Sequence, residues 1–391
     1  MLVAEAVCVA RRERRQPVRA AAYLVSALAN NLPDVDVLYA ALLPPRPLGN
    51  LLHHRGYTHT LALALPGAWL LATLVFRGFA RRHPEATPRD RRLLLGLALG
   101  GVGLHLCLDF GNNYGLHPFW PLSSRWFYGD ALFIVEPLWW AIAIPIVASR
   151  LERRWLKLLL WSLLGAMLVA CWFLPFVATG SRLALVGLTG LASLLAFKAS
   201  PGQRIGAALA ACVAVPVVFA LASARVKAEL RAASQAAFPA LEVVDTAATP
   251  MPANPTCWEG LVAGEQGGRY RVIRASVALP PTAAKDCAAG KDVEPTAPVT
   301  PVSRADHEGV RWLTEYGADV KALRLLKRTD CRFRALLEFA RLPYVSASGK
   351  VAGDLRYDRQ RELDFSDIPL TGACPGWVPG WREPRADVLG N

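Results

Sequence analysis

Long apolar runs dominate residues 1–222 and become rare in residues 223–391. The candidate membrane segments are the runs 18–43, 60–76, 93–110, 131–148, 158–178, 183–197 and 205–222. A helix that spans a bilayer needs about 20 mostly apolar residues, so the run 183–197 is the shortest candidate, and polar residues interrupt the run 18–43. The pattern predicts a mainly α fold in which residues 1–222 form a polytopic membrane helix bundle of about seven hydrophobic segments.

Residues 223–391 are polar enough, and numerous enough, to form a second domain with its own core. Within them the hydrophobic pattern changes between the period of a helix and the alternation of a strand. It predicts an amphipathic helix at 223–238, strands at 257–263 and 269–279, a loop at 280–301, helical structure at 308–340 and a hairpin at 344–357. We therefore expect the second domain to be a smaller α+β domain.

Basic residues are unevenly distributed between the loops of the membrane half. The tracts 11–15, 77–92, 150–157 and 198–204 contain several arginines or lysines, whereas the alternate connections contain few. Because basic loops remain in the cytoplasm, we expect a multi-pass membrane protein with a cytoplasmic N-terminus. An odd number of segments then makes the second domain extracytoplasmic.

The net charge is +13, from 44 Lys and Arg against 31 Asp and Glu. A strongly basic chain can bind nucleic acid. Here the positive charge follows the alternation of the loops instead, so we expect no nucleic-acid partner.

Cysteines support the same topology. Of the eight cysteines, Cys257, Cys287, Cys331 and Cys374 lie in the second domain, and no two cysteines have CxxC spacing. The spacing argues against a zinc ribbon. In an oxidising compartment the four cysteines fit two disulfides, with three possible connectivities.

Polar clusters at three places in the membrane half indicate a metal site. His105 and Asp109 are four residues apart in an apolar run, so they share one helix face, and ionisable residues inside such a run need partners. The clusters 30–36 and 54–59 fall at the same predicted outer face. Together they offer the nitrogen and oxygen ligands that suit zinc, with manganese as the alternative. The candidate metal ligands are His54, His59, His105 and Asp109, and the candidate catalytic carboxylates are Asp34 and Asp36.

The same residues also fit purely structural roles. His105 and Asp109 could be a neutralised pair that links helices, and Asn-Leu-Pro-Asp at 31–34 is also a turn signal. Arg55 could bind an anionic substrate or pair with an aspartate. The loop 111–130 is expected to form a wall or lid over the site, whereas His53 and His83 are expected to be solvated. The residues predicted to support the site or the substrate are Arg55, His117, Arg125, Asp130 and Glu136.

The ordered motifs carry a family resemblance. Asn-Leu-Pro-Asp-Val-Asp at 31–36, His-Arg-Gly-Tyr-Thr-His at 54–59 and His-x-x-x-Asp at 105–109 resemble the YdjM-like family of membrane proteins, which are inferred to be metal-dependent hydrolases. The runs 112–115 and 125–130 look like the later signature of the same family. The resemblance covers roughly residues 1–150 and implies an inner-membrane protein with hydrolase activity toward an unassigned substrate.

The family resemblance also concerns the start of the chain. Family members usually begin with a Thr-His-x-Leu segment whose histidine belongs to the site, and Leu2 fits the position of that leucine. We therefore expect the true start to lie upstream and to supply a further histidine. More distantly, the motifs resemble all-helical zinc-dependent phospholipases C and nucleases. By that analogy His105 and Asp109 would be ligands, Asp34 or Asp36 a bridging ligand, and His54 or His59 a further ligand.

Three functions compete at this stage. The first is a hydrolase in which a metal-activated water attacks a phosphoester or related ester of a membrane lipid, or of a lipid-linked or periplasmic substrate. The second is a non-catalytic metal-binding membrane scaffold whose outer domain binds a protein partner. A transporter ranks last, because the runs 158–178, 183–197 and 205–222 have almost no polar residues at their centres.

Overall fold

The chain has a helical N-terminal part and a C-terminal part built on two antiparallel sheets. The computed structural model describes residues 1–43, 45–282, 287–290, 293–361 and 364–390. Ten helices precede the first strand among these residues: α1 (Leu2–Ala10), α2 (Gln16–Asn30), α3 (Val37–Ala40), α4 (Leu48–His53), α5 (Leu61–Arg82), α6 (Pro88–Gly111), α7 (Pro137–Ala148), α8 (Arg154–Phe173), α9 (Thr179–Lys198) and α10 (Pro201–Ala237).

Five of the described helices, α5, α6, α8, α9 and α10, are long and apolar enough to cross a membrane. The predicted segment 131–148 contains only the 12-residue α7. The predicted segment 18–43 is divided, because α2 ends at Asn30 and a 3-10 turn at Pro33–Asp36 leads into α3. Pro33 has no backbone N–H to donate, so the α-helical hydrogen-bond ladder cannot continue through it. A membrane helix bundle is confirmed, but the count of seven segments is not.

Small residues let α2 and α6 approach each other closely. Ala22, Ala29 and Ala98 are fully buried in the core between α2, α5 and α6. At Gly101 of α6 an added Cβ would lie 3.1 Å from the Cβ of Ala29 and 3.3 Å from the backbone nitrogen of Asn30. Close backbone approach of this kind is typical of helices that pack inside a membrane. One turn further along α6, it places His105 beside the end of α2.

The C-terminal part contains a five-stranded sheet of order β1-β2-β3-β5-β4 and a three-stranded sheet of order β6-β7-β8. The strands are β1 (Glu242–Met251), β2 (Asn254–Gln266), β3 (Arg269–Ala278), β4 (Val299–Pro301), β5 (Val310–Asp319), β6 (Pro343–Val345), β7 (Val351–Asp354) and β8 (Ile368–Pro369). The helices of this part are α11 (Val320–Thr329), α12 (Cys331–Leu336) and α13 (Ala386–Leu389). Disulfides join Cys257 to Cys287 and Cys331 to Cys374, which selects one of the three connectivities.

Most elements predicted for the C-terminal part are present. The two strands predicted at 257–263 and 269–279 are β2 and β3, and the predicted hairpin is β6 and β7. Part of the predicted loop, residues 283–286 and 291–292, lies outside the described residues. Helical structure over the whole of 308–340 was wrong, because β5 occupies its first third. There Val310 and Trp312 pack in one buried cluster and Tyr316 in another, and the strand pairs with β3 through a register shift between Trp312 and Thr314.

The two parts of the chain are in direct contact. Helix α10 continues without a break across the predicted boundary at residue 222 and packs on the sheet, where Leu230 lies against Gly260. At the junction the buried Asp130 carboxylate lies 2.8 Å from a guanidinium nitrogen of Arg341 and 2.7 Å from Nζ of Lys227. These contacts place the C-terminal part over the ends of the helices that carry the predicted site.

Candidate metal centre

Two histidines point their Nε2 atoms at each other. His105 lies in the last two turns of α6, and His59 ends the 3-10 turn Tyr57–His59 that precedes α5. Nδ1 of His105 is 2.7 Å from the backbone oxygen of Asn30, and Nδ1 of His59 is 3.1 Å from Oδ2 of Asp36. With Nδ1 donating to these oxygens, each neutral ring presents its Nε2 lone pair, which is how hydrogen bonds orient metal-binding histidines.

Four potential ligand atoms surround one point. Oδ2 of Asp109 lies 3.2 Å from Nε2 of His59 and 3.2 Å from Nε2 of His105, and the two nitrogens are 3.2 Å apart. Oδ1 of Asp34 lies 3.4 Å and 3.5 Å from the same two nitrogens. Zinc bonds of roughly 2.0–2.2 Å put the corners of a tetrahedron about 3.3–3.6 Å apart. The four side chains therefore fit around a single ion.

The charges of the site favour a cation. Oδ2 of Asp109 is buried and has no hydrogen-bond partner among the described residues. Burial disfavours a charged His59, but the nearby carboxylates of Asp109, Asp34 and Asp36 outweigh burial and raise the pKa of His59 to about 10. The negative charge that would hold a proton on His59 would equally hold a divalent cation at its Nε2 atom.

Asp36 organises the histidines from behind. Its fully buried carboxylate accepts a hydrogen bond from Oγ1 of Thr58 at 2.8 Å, and its Oδ1 lies 3.0 Å from Nδ1 of His54. Burial disfavours the charged carboxylate, but hydrogen bonds with His54 and His59 hold the pKa of Asp36 well below its usual range. Asp34, Asp36 and His54 form a second group of converging ligand atoms, which shares Asp34 with the first group.

Arg55 pairs with Asp109. Its guanidinium lies 2.8 Å from Oδ1 of Asp109, donates to Oδ1 of Asn112 at 2.9 Å and covers the ring of Tyr114 at 4.7 Å. Its backbone φ is +56°, a conformation that residues other than glycine rarely adopt. At the following Gly56 a Cβ would lie 2.5 Å from the backbone oxygen of His53. Of the two predicted roles for Arg55, the geometry shows pairing with an aspartate.

A small cavity adjoins the site on the side of α6 and α7. Its volume is about 200 Å³, and both His105 and Asp109 line it. Glu136 lines it too, caps α7 by accepting a hydrogen bond from the backbone of Leu138, and has its pKa raised to about 7 by burial. The remaining lining is mostly apolar and comprises Leu108, Leu132, Phe133, Ile134, Val135, Trp139 and Trp140, with Asn30 and Asn112.

The other predicted supporting residues lie further away. His117 is buried between Trp126 and Trp381, with ring centroids 4.6 Å and 3.6 Å away, and is not among the converging ligand atoms. Arg125 is exposed and lies over the ring of Phe127. Asp130 belongs to the junction with Arg341 rather than to the ligand cluster.

Some residues near the site were not predicted. The backbone oxygen of Asn30 contacts Nδ1 of His105. A backbone contact of this kind cannot be inferred from the type of side chain. Trp377 packs on His53 at 4.3 Å and stacks on Tyr57 at 5.9 Å. His53, which was expected to be solvated, is therefore buried.

The comparisons with known proteins agree with the motifs. Residues 1–178 match the family model described as YdjM inner membrane protein. No curated protein and no solved structure matches the chain. The matched range contains all the residues that converge in the two candidate ligand groups. Over residues 1–178, the chain is therefore similar to the YdjM inner membrane protein family.

Proposed function

We propose that the protein is a membrane-bound, metal-dependent hydrolase of phosphoesters or related esters. The observation that carries the proposal is the set of four ligand atoms, from Asp34, His59, His105 and Asp109, held within 4.8 Å of one another. Two histidines with two carboxylates suit zinc, with manganese as the alternative. A bound divalent cation would supply Lewis acidity and make a water nucleophilic near neutral pH.

In this proposal the chain's own residues have separate tasks. The side chain of Asp34 is 44% exposed, so it is the ligand carboxylate that can also accept a hydrogen bond from an incoming water. Asp36 has both oxygens engaged by histidines and fixes the two rings, which makes it a positioning residue. Arg55 neutralises Oδ1 of Asp109 and leaves Oδ2 directed at the centre.

The adjoining cavity supports a lipid or lipid-linked substrate. It connects two ligand residues with Ile134 and Val135, whose apolar side chains are 52% and 55% exposed. A cavity of about 200 Å³ is smaller than the roughly 300–1,000 Å³ typical of whole ligands. We therefore propose that it binds the apolar part of the substrate nearest the ester, while the rest of the substrate's hydrocarbon chain stays in the bilayer.

We further propose that the site and the C-terminal domain face the outside of the inner membrane. Two disulfides in that domain favour an oxidising compartment. The basic tract at the end of α5, with Arg81 and Arg82 in its last turn, lies at the opposite end of that helix from His59. Basic loops favour the cytoplasmic side.

A second candidate is a non-catalytic metal-binding scaffold. The observation that favours it is the same tetrahedral set, since four protein ligands are typical of structural zinc sites and three are typical of catalytic ones. The C-terminal domain would then bind a protein partner. The two candidate functions differ in whether the ion has an open coordination position that an added ligand can occupy.

The first test is the metal content of the detergent-purified full chain. Wild type is compared with His105→Ala and Asp109→Ala, and with His83→Ala as a control, because His83 pairs with Glu85 beyond the other end of α5. The proposal expects stoichiometric zinc or manganese in wild type and control and its loss in the other two variants. No bound metal in wild type would overturn both candidates.

Cobalt substitution then separates the hydrolase from the scaffold. Added inorganic phosphate should change the visible absorption of the cobalt form if the ion has an open position. The same preparation should hydrolyse a chromogenic phosphodiester. An unchanged spectrum together with no turnover would reject the hydrolase and support the scaffold.

A further inference from the structure

A second cleft lies at the opposite end of the helices from the metal centre. It has a volume of about 1490 Å³ and lies between the start of α2 on one side and the α7–α8 connection with the start of α8 on the other. The hydrolase proposal gives it no role. Its wall contains both basic and apolar side chains, so its chemistry is that of an amphiphile site.

The rim of the cleft carries unpaired positive charge. Arg12, Arg14, Arg153 and Lys157 line it, and none of the four forms an ion pair within the described part of the chain. The two acidic residues in the lining are already engaged. Oε2 of Glu13 is 2.9 Å from a guanidinium nitrogen of Arg15, and Oε1 of Glu152 accepts from Gln16 at 2.6 Å. Gln16 is neutral, so Glu152 keeps its charge, and the four basic side chains of the rim leave a net positive charge that an anion could neutralise.

The remaining basic residues of the cleft have a structural task. Arg19 and Arg150 both contact Glu5, whose side chain is fully buried, and Tyr23 donates a hydrogen bond to the same carboxylate at 2.5 Å. Since Arg19, Arg150 and Tyr23 are all engaged with this one carboxylate, the cluster fixes the floor of the cleft. The four rim residues are the ones available to a ligand.

An apolar groove continues from the rim into the membrane part. Ala20, Leu24 and Ala27 line the cleft from one face of α2, because positions four and three residues apart share a helix face. Leu24 is exposed there. On the other side Trp155 and Leu156 line the cleft from α8. Tryptophan at this level is typical of the membrane interface.

We propose that this cleft binds an anionic phospholipid, with the phosphate at the rim and one acyl chain along α2. Charge complementarity selects an anionic headgroup, since basic pockets between membrane helices bind such headgroups. The apolar groove selects a lipid over a free phosphate compound, because a soluble anion would leave it uncovered. The proposal is independent of catalysis at the metal centre.

The test uses native mass spectrometry of the full chain with added phosphatidylglycerol or phosphatidylcholine. The cleft variant carries Arg12→Gln, Arg14→Gln, Arg153→Gln and Lys157→Gln. The matched control carries Arg81→Gln, Arg82→Gln, Arg91→Gln and Arg92→Gln, which are exposed arginines without an ion pair in the described structure and outside the cleft. Phosphatidylglycerol should bind wild type and control at least about tenfold more tightly than the cleft variant. Equal loss in the control would show a general charge effect and overturn the proposal.

Two further arms separate the possible ligands. Ala27→Phe should fill the groove and weaken lipid binding without altering charge. Glycerol 3-phosphate, added at the same concentration as the lipid, should not compete. If it competes as well as the lipid, or if Ala27→Phe binds like wild type, the site is for a soluble anion and the proposal is wrong. An unchanged far-ultraviolet circular dichroism spectrum of each variant verifies that the helices remain folded.

Discussion

The Nε2 atoms of His59 and His105 lie 3.2 Å apart, although 46 residues separate the two histidines in the chain. Each ring is held from behind, one by the carboxylate of Asp36 and the other by the backbone oxygen of Asn30. Two lone pairs directed at each other, with carboxylate oxygens alongside, repel unless a positive charge lies between them. A cation bound between them would therefore explain why these ionisable side chains lie together at the end of apolar helices.

Asp36→Asn tests the role of the carboxylate behind His59. The variant keeps the shape of the side chain but removes the charge that orients two histidines, so we expect metal affinity to fall roughly 10–100-fold with little change in fold. Affinity is measured by competition with a chromogenic chelator. Asp90→Asn is the control, because Asp90 is also a buried carboxylate but pairs with Arg15 at the other end of α6. Equal affinity in Asp36→Asn and wild type would contradict this role.

Gly101→Val tests whether the approach of α2 and α6 builds the site. The new side chain would push against Ala29 and the backbone of Asn30, and overpacking of this kind costs about 1–3 kcal/mol. Moving α2 away should separate Asn30 from His105 and lower the bound metal measured in the purified protein. Gly103→Val on the same helix is the control, since nothing lies within 4 Å of a Cβ there. Full metal occupancy in Gly101→Val would show that this approach is not needed.

The sequence predicted those features that depend on local spacing. Helical periodicity placed His105 and Asp109 on one face, and the motifs at 31–36 and 54–59 supplied the remaining candidates, which the structure brings together. It could not predict that Asn30 contributes a backbone oxygen, because this depends on where α2 ends and how closely α6 approaches. The sequence also could not show which of Asp34 and Asp36 is the exposed ligand and which is the buried positioning residue. That difference depends on which carboxylate the other elements cover.

Long-range contacts account for the other differences. His53 is buried because Trp377, 324 residues later, packs on it, and no pattern near residue 53 records this contact. In 308–340 the apolar residues fit a helix as well as a strand. In the structure β5 pairs with β3 and β4, which both lie outside 308–340 in the sequence. This pairing makes the first third of the region a strand rather than a helix. The count of seven membrane segments is not confirmed, because the runs 18–43 and 131–148 contain only the 15-residue α2 with the short α3, and the 12-residue α7.

Asp367→Asn tests a pH effect in the C-terminal domain. Burial raises the pKa of Asp367 from 3.8 to about 6, partly opposed by the hydrogen bond from Tyr344. A carboxyl whose pKa is higher in the folded state destabilises that state as it ionises. Stability from this group is therefore complete below about pH 3.8 and is lost as the pH rises through about 6.

Amide hydrogen exchange of β7 and β8 measures this effect, because these strands lie next to Asp367. In wild type their opening should become easier between pH 4 and pH 7, after correction for the intrinsic exchange rate. In Asp367→Asn that extra dependence should be absent. Asp387→Asn is the control, because this partly exposed carboxylate lies in α13, away from both strands. A dependence of the same size in Asp367→Asn would reject the assignment.

Cysteine labelling of intact cells tests the proposed orientation. The four free cysteines, Cys8, Cys107, Cys171 and Cys212, are first replaced by serine. A single cysteine is then added by Ser348→Cys, in the exposed turn between β6 and β7, or by Arg82→Cys, at the basic end of α5. Because the C-terminal domain and the metal centre lie at the same ends of the helices, an impermeant maleimide should label the variant at 348 and not the variant at 82. After the membrane is permeabilised, both should react, which controls for exposure. Labelling of position 82 alone in intact cells would reverse the orientation and place the candidate metal centre, with its substrate, on the cytoplasmic face.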